Sequence, residues 1–143
     1  MIVHIKKIDK SLSLPRYQTG GAAGFDLVTR EDTAVLPGEI KLVPGNVVVK
    51  VPEGYVLLII PRSSLPKKKG LICPHSIGVI DSDYCGEEDE IFVQVQNITP
   101  KPVTVLRGER IAQGVFVKME TAQWKETEEA FAKTRGGFGT TGA

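Results

Sequence analysis

An aspartate that directly follows an apolar run is the first candidate for chemistry in this chain. Segment 78–87 reads GVIDSDYCGE, in which Val79 and Ile80 are typical of a buried strand end and Asp81 opens a turn. A carboxylate at the rim of a core can accept a proton from water, and Tyr84 beside it can form the wall of a small-molecule pocket. A turn aspartate can equally be a local hydrogen-bond cap, so this pattern alone leaves both interpretations open.

Two further segments carry groups that suit phosphate. PRSSL at 61–65 follows the apolar run 55–60 and places Arg62, Ser63 and Ser64 at the start of a short helical turn, where a guanidinium, hydroxyls and free N–H groups can meet phosphate oxygens. The lysines at 67–69 either add positive potential or form a solvated loop. RGERIAQ at 107–113 ends in Gln113, which has apolar neighbours, so it either satisfies backbone groups or reaches a ligand.

The glycine-rich segment 134–143 could wrap an anion. Arg135 and the hydroxyls of Thr140 and Thr141 can bind phosphate, and Phe138 offers a flat face for a base. The segment lacks the P-loop spacing, and a disordered tail accounts for the same composition. We expect a domain of residues 1–133 and a tail, 134–143, that is mobile when unbound, because the tail cannot form a core.

The candidate metal-binding residues fit a magnesium ion that is bound through a substrate better than they fit a structural metal site. Cys73, His75 and Cys85 fall short of the four ligands at recognisable spacing that zinc needs. Magnesium binds mainly through phosphates and water with one or two carboxylates. Asp26, in AAGFDL at 22–27, is flanked by residues that look buried; by itself this pattern is typical of a tight crossing with a hydrogen-bonded aspartate.

Composition indicates one globular domain. The 143 residues are 41% hydrophobic and 24% charged with a formal net charge of +1, so we expect neither nucleic acid nor a membrane as partner. No apolar run approaches the roughly 20 residues that cross a bilayer. Two cysteines are too few for a disulfide scaffold in a chain of this size, and we expect a reducing, cytoplasmic setting.

The elements that must position these groups are short strands. Apolar or alternating segments separated by Pro and Gly turns predict an all-β, single-domain fold, most simply a jelly-roll β-barrel with little helix. These segments lie at 35–36, 40–43, 47–51, 55–60, 91–95, 103–106 and 111–117. Short helices are predicted at 63–66 and 124–133.

Together and in this order, five segments resemble the signature of the homotrimeric dUTP diphosphatase (dUTPase) family. They read AAGFDL, PRSSL, GVIDSDY, RGERIAQ and RGGFGTTG, and the match runs from residue 14 to 142. The resemblance implies a jelly-roll β-barrel, a homotrimer with three sites at subunit interfaces, and a tail that closes over a neighbour's site. It also implies Mg²⁺-dependent hydrolysis of dUTP to dUMP and pyrophosphate, which keeps uracil out of DNA and supplies dUMP for thymidylate synthesis.

The resemblance assigns the chemistry and the recognition of the nucleoside. Asp81 is then the general base for the water that attacks the α-phosphorus, and Tyr84 packs on the deoxyribose and excludes a ribose 2′-hydroxyl. Uracil is read by main-chain groups of the hairpin that contains His75, Ser76, Gly78, Val79 and Ile80.

The resemblance also assigns the phosphate contacts. Arg62, Ser63, Ser64 and Gln113 hold the phosphates, and Asp26 supports the magnesium-bound water network. In the tail, Arg135 with Thr140 or Thr141 grips the γ-phosphate, while Phe138, followed by Gly139, stacks over the base.

Four departures from the family pattern are present. His75 stands where asparagine is frequent, and residues 88–90 are about three extra residues before the next strand. Lys133 occupies the usual spacing of the tail arginine, so it competes with Arg135, which we favour for its forked guanidinium. Pro66 and Lys67 replace small residues.

Two rival functions use the same fold. A dCTP deaminase needs an arginine two residues after the leucine of PRSSL and a glutamate on the following strand, where this chain has Lys67 and Gln94. Gln94 cannot ionise and so cannot shuttle a proton. The second rival is a non-catalytic nucleotide-binding regulatory protein; it should have lost the base or the tail residues, and this chain retains them. Because binding modules retain their sites too, the sequence leaves a second, interaction-based role open.

Overall fold

The computed structural model describes residues 1–137, which form eleven strands and one short helix. In chain order these are β1 (His4–Lys7), β2 (Phe25–Leu27), β3 (Thr33–Val35), β4 (Ile40–Pro44), β5 (Val47–Lys50), β6 (Tyr55–Pro61), α1 (Leu65–Lys69), β7 (Leu71–Ile72), β8 (Gly78–Ile80), β9 (Phe92–Asn97), β10 (Val103–Val105) and β11 (Ala112–Lys118). The predicted all-β class with little helix is confirmed.

The strands form four antiparallel sheets, ordered β1-β5, β10-β3, β2-β11-β6-β8 and β4-β9-β7. The four-stranded sheet carries most of the predicted site residues. Its two long strands, β6 and β11, pair along their whole length, from Pro61 opposite Ala112 to Tyr55 opposite Lys118. Because this pairing is continuous, it fixes which side chains share a face and which lie at opposite ends.

One hydrophobic core joins the sheets. Along β6, Leu57 and Ile59 are buried while Leu58 and Ile60 lie on the other face and are half-buried, as the two-residue period of a strand requires. The same core contains Phe25, Leu27, Val35, Val43, Val47, Val49, Val51, Leu65, Leu71, Ile91, Val93, Val95, Val105, Ile111 and Ala112. Each large apolar side chain buried in this way contributes about 1.5–3 kcal/mol.

The predicted helix at 63–66 is present close to that position as α1, which follows Ser64, ends at Lys69 and is capped by Gly70 in the left-handed conformation. The predicted helix at 124–133 is wrong. After β11 the chain continues to residue 137 without regular structure, and Trp124 and Phe131 are 94% and 93% exposed. A short helix in water needs an apolar face packed on a partner, and nothing in the described residues covers these rings. No helix within residues 1–137 is long and apolar enough to span a membrane.

A buried asparagine ties the N-terminal loop to the core. Asn46 is fully buried with φ +69°; its side chain accepts a hydrogen bond from the Asp9 N–H at 2.7 Å and donates to the Asp9 carbonyl at 3.2 Å. The Asp9 carboxylate in turn accepts hydrogen bonds from Ser11 and, at 2.6 Å, from Arg107. These contacts hold the pKa of Asp9 well below its usual 3.8.

The lowered pKa of Asp9 predicts an acid dependence of stability. A carboxyl whose folded pKa is depressed stabilises the fold above its unfolded pKa and loses this contribution as the pH falls further. Asp9→Asn should therefore be less stable than wild type above pH 3.8, and the difference should shrink below it. Urea unfolding over a pH series measures this, with the exposed Glu53→Gln as control; a pH-independent difference would contradict it.

Candidate functional site

A nearly buried carboxylate between two guanidinium groups forms the first part of the site. Asp26, the central residue of β2, is 6% exposed. Its Oδ1 lies 3.3 Å from Arg62 Nε and its Oδ2 accepts a hydrogen bond from Arg110 Nη1 at 3.0 Å. One negative and two positive charges leave a net positive charge, and each guanidinium has five N–H donors. This group can therefore bind an anion.

Gln113 lies beside Asp26 on the same face of the sheet. In the β11 register it pairs with Asp26 on one side and with Ile60 on the other. A Cβ built on Gly24 would lie 2.7 Å from Gln113 Oε1, so the glutamine amide occupies the space that a side chain at position 24 would need. We call Asp26, Arg62, Arg110 and Gln113 the arginine cluster.

A groove of about 250 Å³ continues from the arginine cluster toward α1. Arg62, Ser64, Lys68 and Arg110 are among its lining residues, and Ser64 precedes α1 without capping it through its hydroxyl. The structure thus brings Arg62, Ser64 and Gln113, which were predicted to hold phosphates, close to Asp26, which was predicted to support magnesium-bound water. Ser63 lies exposed next to them.

Arg110 was not among the residues predicted from the sequence. The RGER turn showed two arginines and a glutamate, but nothing in it indicated which of them meets Asp26. The signal that could have found it is the burial of Asp26, because a buried carboxylate needs positive partners.

The second part of the site is the loop of residues 81–90, the Asp81 loop. It leaves β8, whose Gly78, Val79 and Ile80 pair with β6. Asp81 is exposed and shares a hollow of about 290 Å³ with Tyr84 and four apolar residues, Leu42, Val79, Ile80 and Phe92. The structure therefore places Asp81 and Tyr84 together beside an apolar surface, as the sequence predicted.

The predicted uracil-reading residues lie in the turn between β7 and β8 and along β8. His75 and Ser76 are exposed, and Ser76 adopts φ +67° while its N–H donates to the Cys73 carbonyl at 3.0 Å. Burial raises the pKa of the Cys73 thiol. Among the described strands, β8 is an edge strand of its sheet, so one row of its main-chain groups faces away from β6 and can meet a ligand.

The arginine cluster and the Asp81 loop lie at opposite ends of the sheet. Ile80 pairs with Leu57, and Arg62 lies five residues beyond Leu57 in the direction away from Asp81. Five residues of extended chain span about 17 Å, and the Arg62 side chain is directed at Asp26. A general base must lie within hydrogen-bond reach of the proton that it takes. Within one chain, the two parts cannot act on the same phosphate.

The tail residues are only partly within the described chain. Lys133 and Arg135 are both exposed, so the structure does not choose between them. Phe138, Gly139, Thr140 and Thr141 lie outside the described residues.

The donor set fits magnesium held through phosphates. Within residues 1–137 no group of three or more His, Cys, Asp or Glu side chains could hold a metal ion alone. Each Asp26 oxygen is contacted by one guanidinium, and a carboxylate oxygen has a further lone pair that can accept a hydrogen bond from water. Asp26 thus suits the predicted indirect role, in which it holds metal-bound water.

Comparison with known proteins decides the family. A profile of the dUTPase family matches residues 10–142. The chain belongs to the dUTPase family. It is similar to the deoxyuridine 5'-triphosphate nucleotidohydrolase of Lactococcus lactis, with 41% identity over 92% of this chain and 89% of the relative.

Two solved dUTPase structures share the fold. The dUTPase of Streptococcus mutans matches with a TM-score of 0.77 at 38% identity, over 84% of this chain and 98% of that one. The dUTPase of Staphylococcus bacteriophage 80alpha, solved with dUPNHPP, matches with a TM-score of 0.86 at 26% identity over 99% of both chains.

The close approach of Gly24 to the Gln113 amide predicts that a methyl group added at position 24 impairs anion binding at the arginine cluster. Gly24→Ala should displace the Gln113 amide and weaken binding of an anion such as inorganic pyrophosphate about tenfold, because one hydrogen bond contributes roughly 0.5–1.5 kcal/mol. Calorimetric titration measures this. Gly21→Ala is the matched control, since nothing lies within 4 Å of a Cβ there. Equal affinity of the two variants would contradict the role of Gly24.

Proposed function

We propose that this chain is a dUTP diphosphatase that hydrolyses dUTP to dUMP and pyrophosphate in active sites shared between the subunits of a homotrimer. The observation that carries the proposal is the separation of the arginine cluster and the Asp81 loop within one chain. The resemblance to enzymes that act on dUTP assigns both parts to one substrate, so we expect the second part of each site to come from another copy.

The surface between the two parts is suited to contact with another copy. On the face of the four-stranded sheet that carries Gln113, the intervening residues are apolar: Val56, Leu58, Val79, Val115 and Val117. Val79 is 59% exposed and Val117 is 40% exposed. Exposed contiguous apolar surface of this kind marks an interaction site. A head-to-tail contact that places one copy's Asp81 loop against the next copy's arginine cluster forms a ring where its rotation closes, and the family resemblance implies a closed ring of three copies.

Asp81 supplies the base in the proposed reaction. It takes a proton from a water molecule whose oxygen forms a bond to the α-phosphorus, while the bond from that phosphorus to the α,β-bridging oxygen breaks. The products are dUMP and pyrophosphate. General base catalysis contributes about 10²–10⁴-fold, so positioning of the water and charge stabilisation must supply the remaining acceleration.

The arginine cluster supplies much of that charge stabilisation. Arg62 and Arg110, already oriented by Asp26, need little reorganisation when negative charge develops on the phosphate oxygens. Ser63, Ser64 and Gln113 add neutral donors. Mg²⁺ bound to the phosphates would neutralise further charge there, with Asp26 accepting hydrogen bonds from its water shell.

Recognition of the nucleoside is assigned to the other part of the site. The free edge of β8 and the turn before it, including His75 and Ser76, offer main-chain donors and acceptors to uracil. Tyr84 packs on the deoxyribose and leaves no room for a 2′-hydroxyl. In the tail, Arg135 or Lys133 with Thr140 or Thr141 grips the γ-phosphate, and Phe138 followed by Gly139 covers the base.

A substrate panel tests this function directly. With magnesium, pyrophosphate release should be much faster from dUTP than from UTP, dTTP or dCTP, and dCTP should release no ammonia. Asp81→Asn should lower kcat by about 10²–10⁴-fold while leaving dUPNHPP affinity within a few-fold. Full activity of that variant would remove Asp81 as the base, and ammonia from dCTP would favour the deaminase.

Mixed oligomers test whether the sites are shared. Asp81→Asn and Arg62→Ala should each be nearly inactive alone, yet refolding them together should restore activity at roughly a quarter of the sites, because one interface of each mixed three-membered ring joins two intact halves. Refolding each variant alone is the control. If mixing restores nothing although mass spectrometry detects mixed trimers, both halves belong to one chain and the proposed geometry is wrong.

A further inference from the structure

The Asp81 loop returns to the core at a buried carboxylate. Glu90, its last residue, is 6% exposed, whereas residues 81–84 and 86–88 are exposed. Glu90 Oε1 accepts hydrogen bonds from Arg30 Nε at 3.0 Å and from the Asn46 N–H at 2.8 Å. Arg30 follows β2 in the chain, and its N–H donates to the Pro44 carbonyl. Glu90 is therefore fixed to the core from two directions.

Glu90 also determines where the Tyr84 ring lies. The Tyr84 hydroxyl donates a hydrogen bond to the Glu90 carbonyl at 3.0 Å. This bond spans the loop, since the two residues are six positions apart, and the same tyrosine lines the hollow that contains Asp81. The orientation of the ring is thus set by the backbone of a residue whose side chain is held by Arg30 and Asn46.

The length of this loop favours such an anchor. Against the family pattern that the sequence resembles, residues 88–90 are about three additional residues, and longer loops lose more conformational entropy on ordering. The other contacts of the loop are exposed, such as Lys50 Nζ with the Ser82 carbonyl at 3.2 Å and Lys6 Nζ with the Glu87 carbonyl at 3.2 Å. Exposed contacts of long lysine side chains restrain a loop weakly, whereas the Glu90 carboxylate is only 8% exposed and its hydrogen bond from the Asn46 N–H is buried.

We propose that Glu90, held by Arg30 and the Asn46 N–H, is a positioning residue that fixes the Tyr84 ring against the sugar and thereby sets the discrimination between deoxyribose and ribose. This inference rests on the proposed function. Glu90 touches neither substrate nor the reacting atoms; it acts only through the tyrosine. Its removal should therefore change the selectivity for the sugar more than the rate of dUTP cleavage.

The test compares kcat/KM for dUTP and UTP in the full-length protein. Glu90→Gln keeps the size and the acceptor oxygen but removes the charge that holds Arg30, and Tyr84→Phe keeps the ring but removes its hydroxyl. Each should lower the dUTP:UTP ratio about tenfold, mainly through faster UTP cleavage. The double variant should lose little more than either single variant, because both changes release the same ring. Glu88→Gln, an exposed neighbour, is the control and should keep the wild-type ratio.

The possible outcomes separate this inference from the proposed function. Glu90→Gln with a lower melting temperature but an unchanged ratio would make Glu90 merely structural and overturn the inference. If Glu90→Gln does not fold, Tyr84→Phe decides, and an unchanged ratio in that variant overturns the inference equally. A wild-type protein that cleaves neither nucleotide would overturn the proposed function itself, whereas wild-type selectivity in every variant overturns only the role of Glu90.

Discussion

The register between β6 and its two neighbours is the constraint on which the site depends. β11 places Gln113 beside Asp26 at one end of the sheet, and β8 places Asp81 beyond Leu57 at the other. A slip of one residue would turn every side chain on a strand to the opposite face. The buried Leu57 and Ile59 oppose such a slip, since they would move out of the core. Apolar packing inside the sheet therefore fixes the positions of the polar groups outside it.

The same register explains why one face of the sheet is apolar without being part of the core. Val79 and Leu58 pair across β8 and β6, and Leu58 and Val115 pair across β6 and β11. A strand that is apolar on both faces is typical of a sheet covered on both sides. The outer face thus lies between the two halves of the site, and in the proposed oligomer it is the surface on which the next copy packs.

The sequence predicted the fold class and proposed candidate residues, but it did not show how those residues are divided in space. The apolar run at 55–60 and the Pro-Gly turns around it indicated a strand, and a strand was found at Tyr55–Pro61. The predicted helix at 124–133 failed because local composition says nothing about what covers Trp124. Arg110 was missed because the partner of a buried carboxylate depends on register between β2 and β11, which one-dimensional patterns do not specify. Likewise, no spacing showed that Arg62 and Asp81 lie apart.

Charge compensation is the common principle of both parts of the site. Asp26 balances part of the charge of Arg62 and Arg110, and Glu90 balances that of Arg30, whose pKa is raised chiefly by its hydrogen bond to Glu90. Both carboxylates are nearly buried, whereas the side chains of Arg30, Arg62 and Arg110 that contact them are 29%, 33% and 41% exposed. Each pair therefore joins a shielded carboxylate to a guanidinium that water still reaches. The two carboxylates differ in what they do for the site, however. Asp26 orients two guanidinium groups whose remaining N–H donors can bind a phosphate. Glu90 binds no ligand; in the proposed role it anchors the Asp81 loop and so fixes the position of the Tyr84 ring beside the hollow.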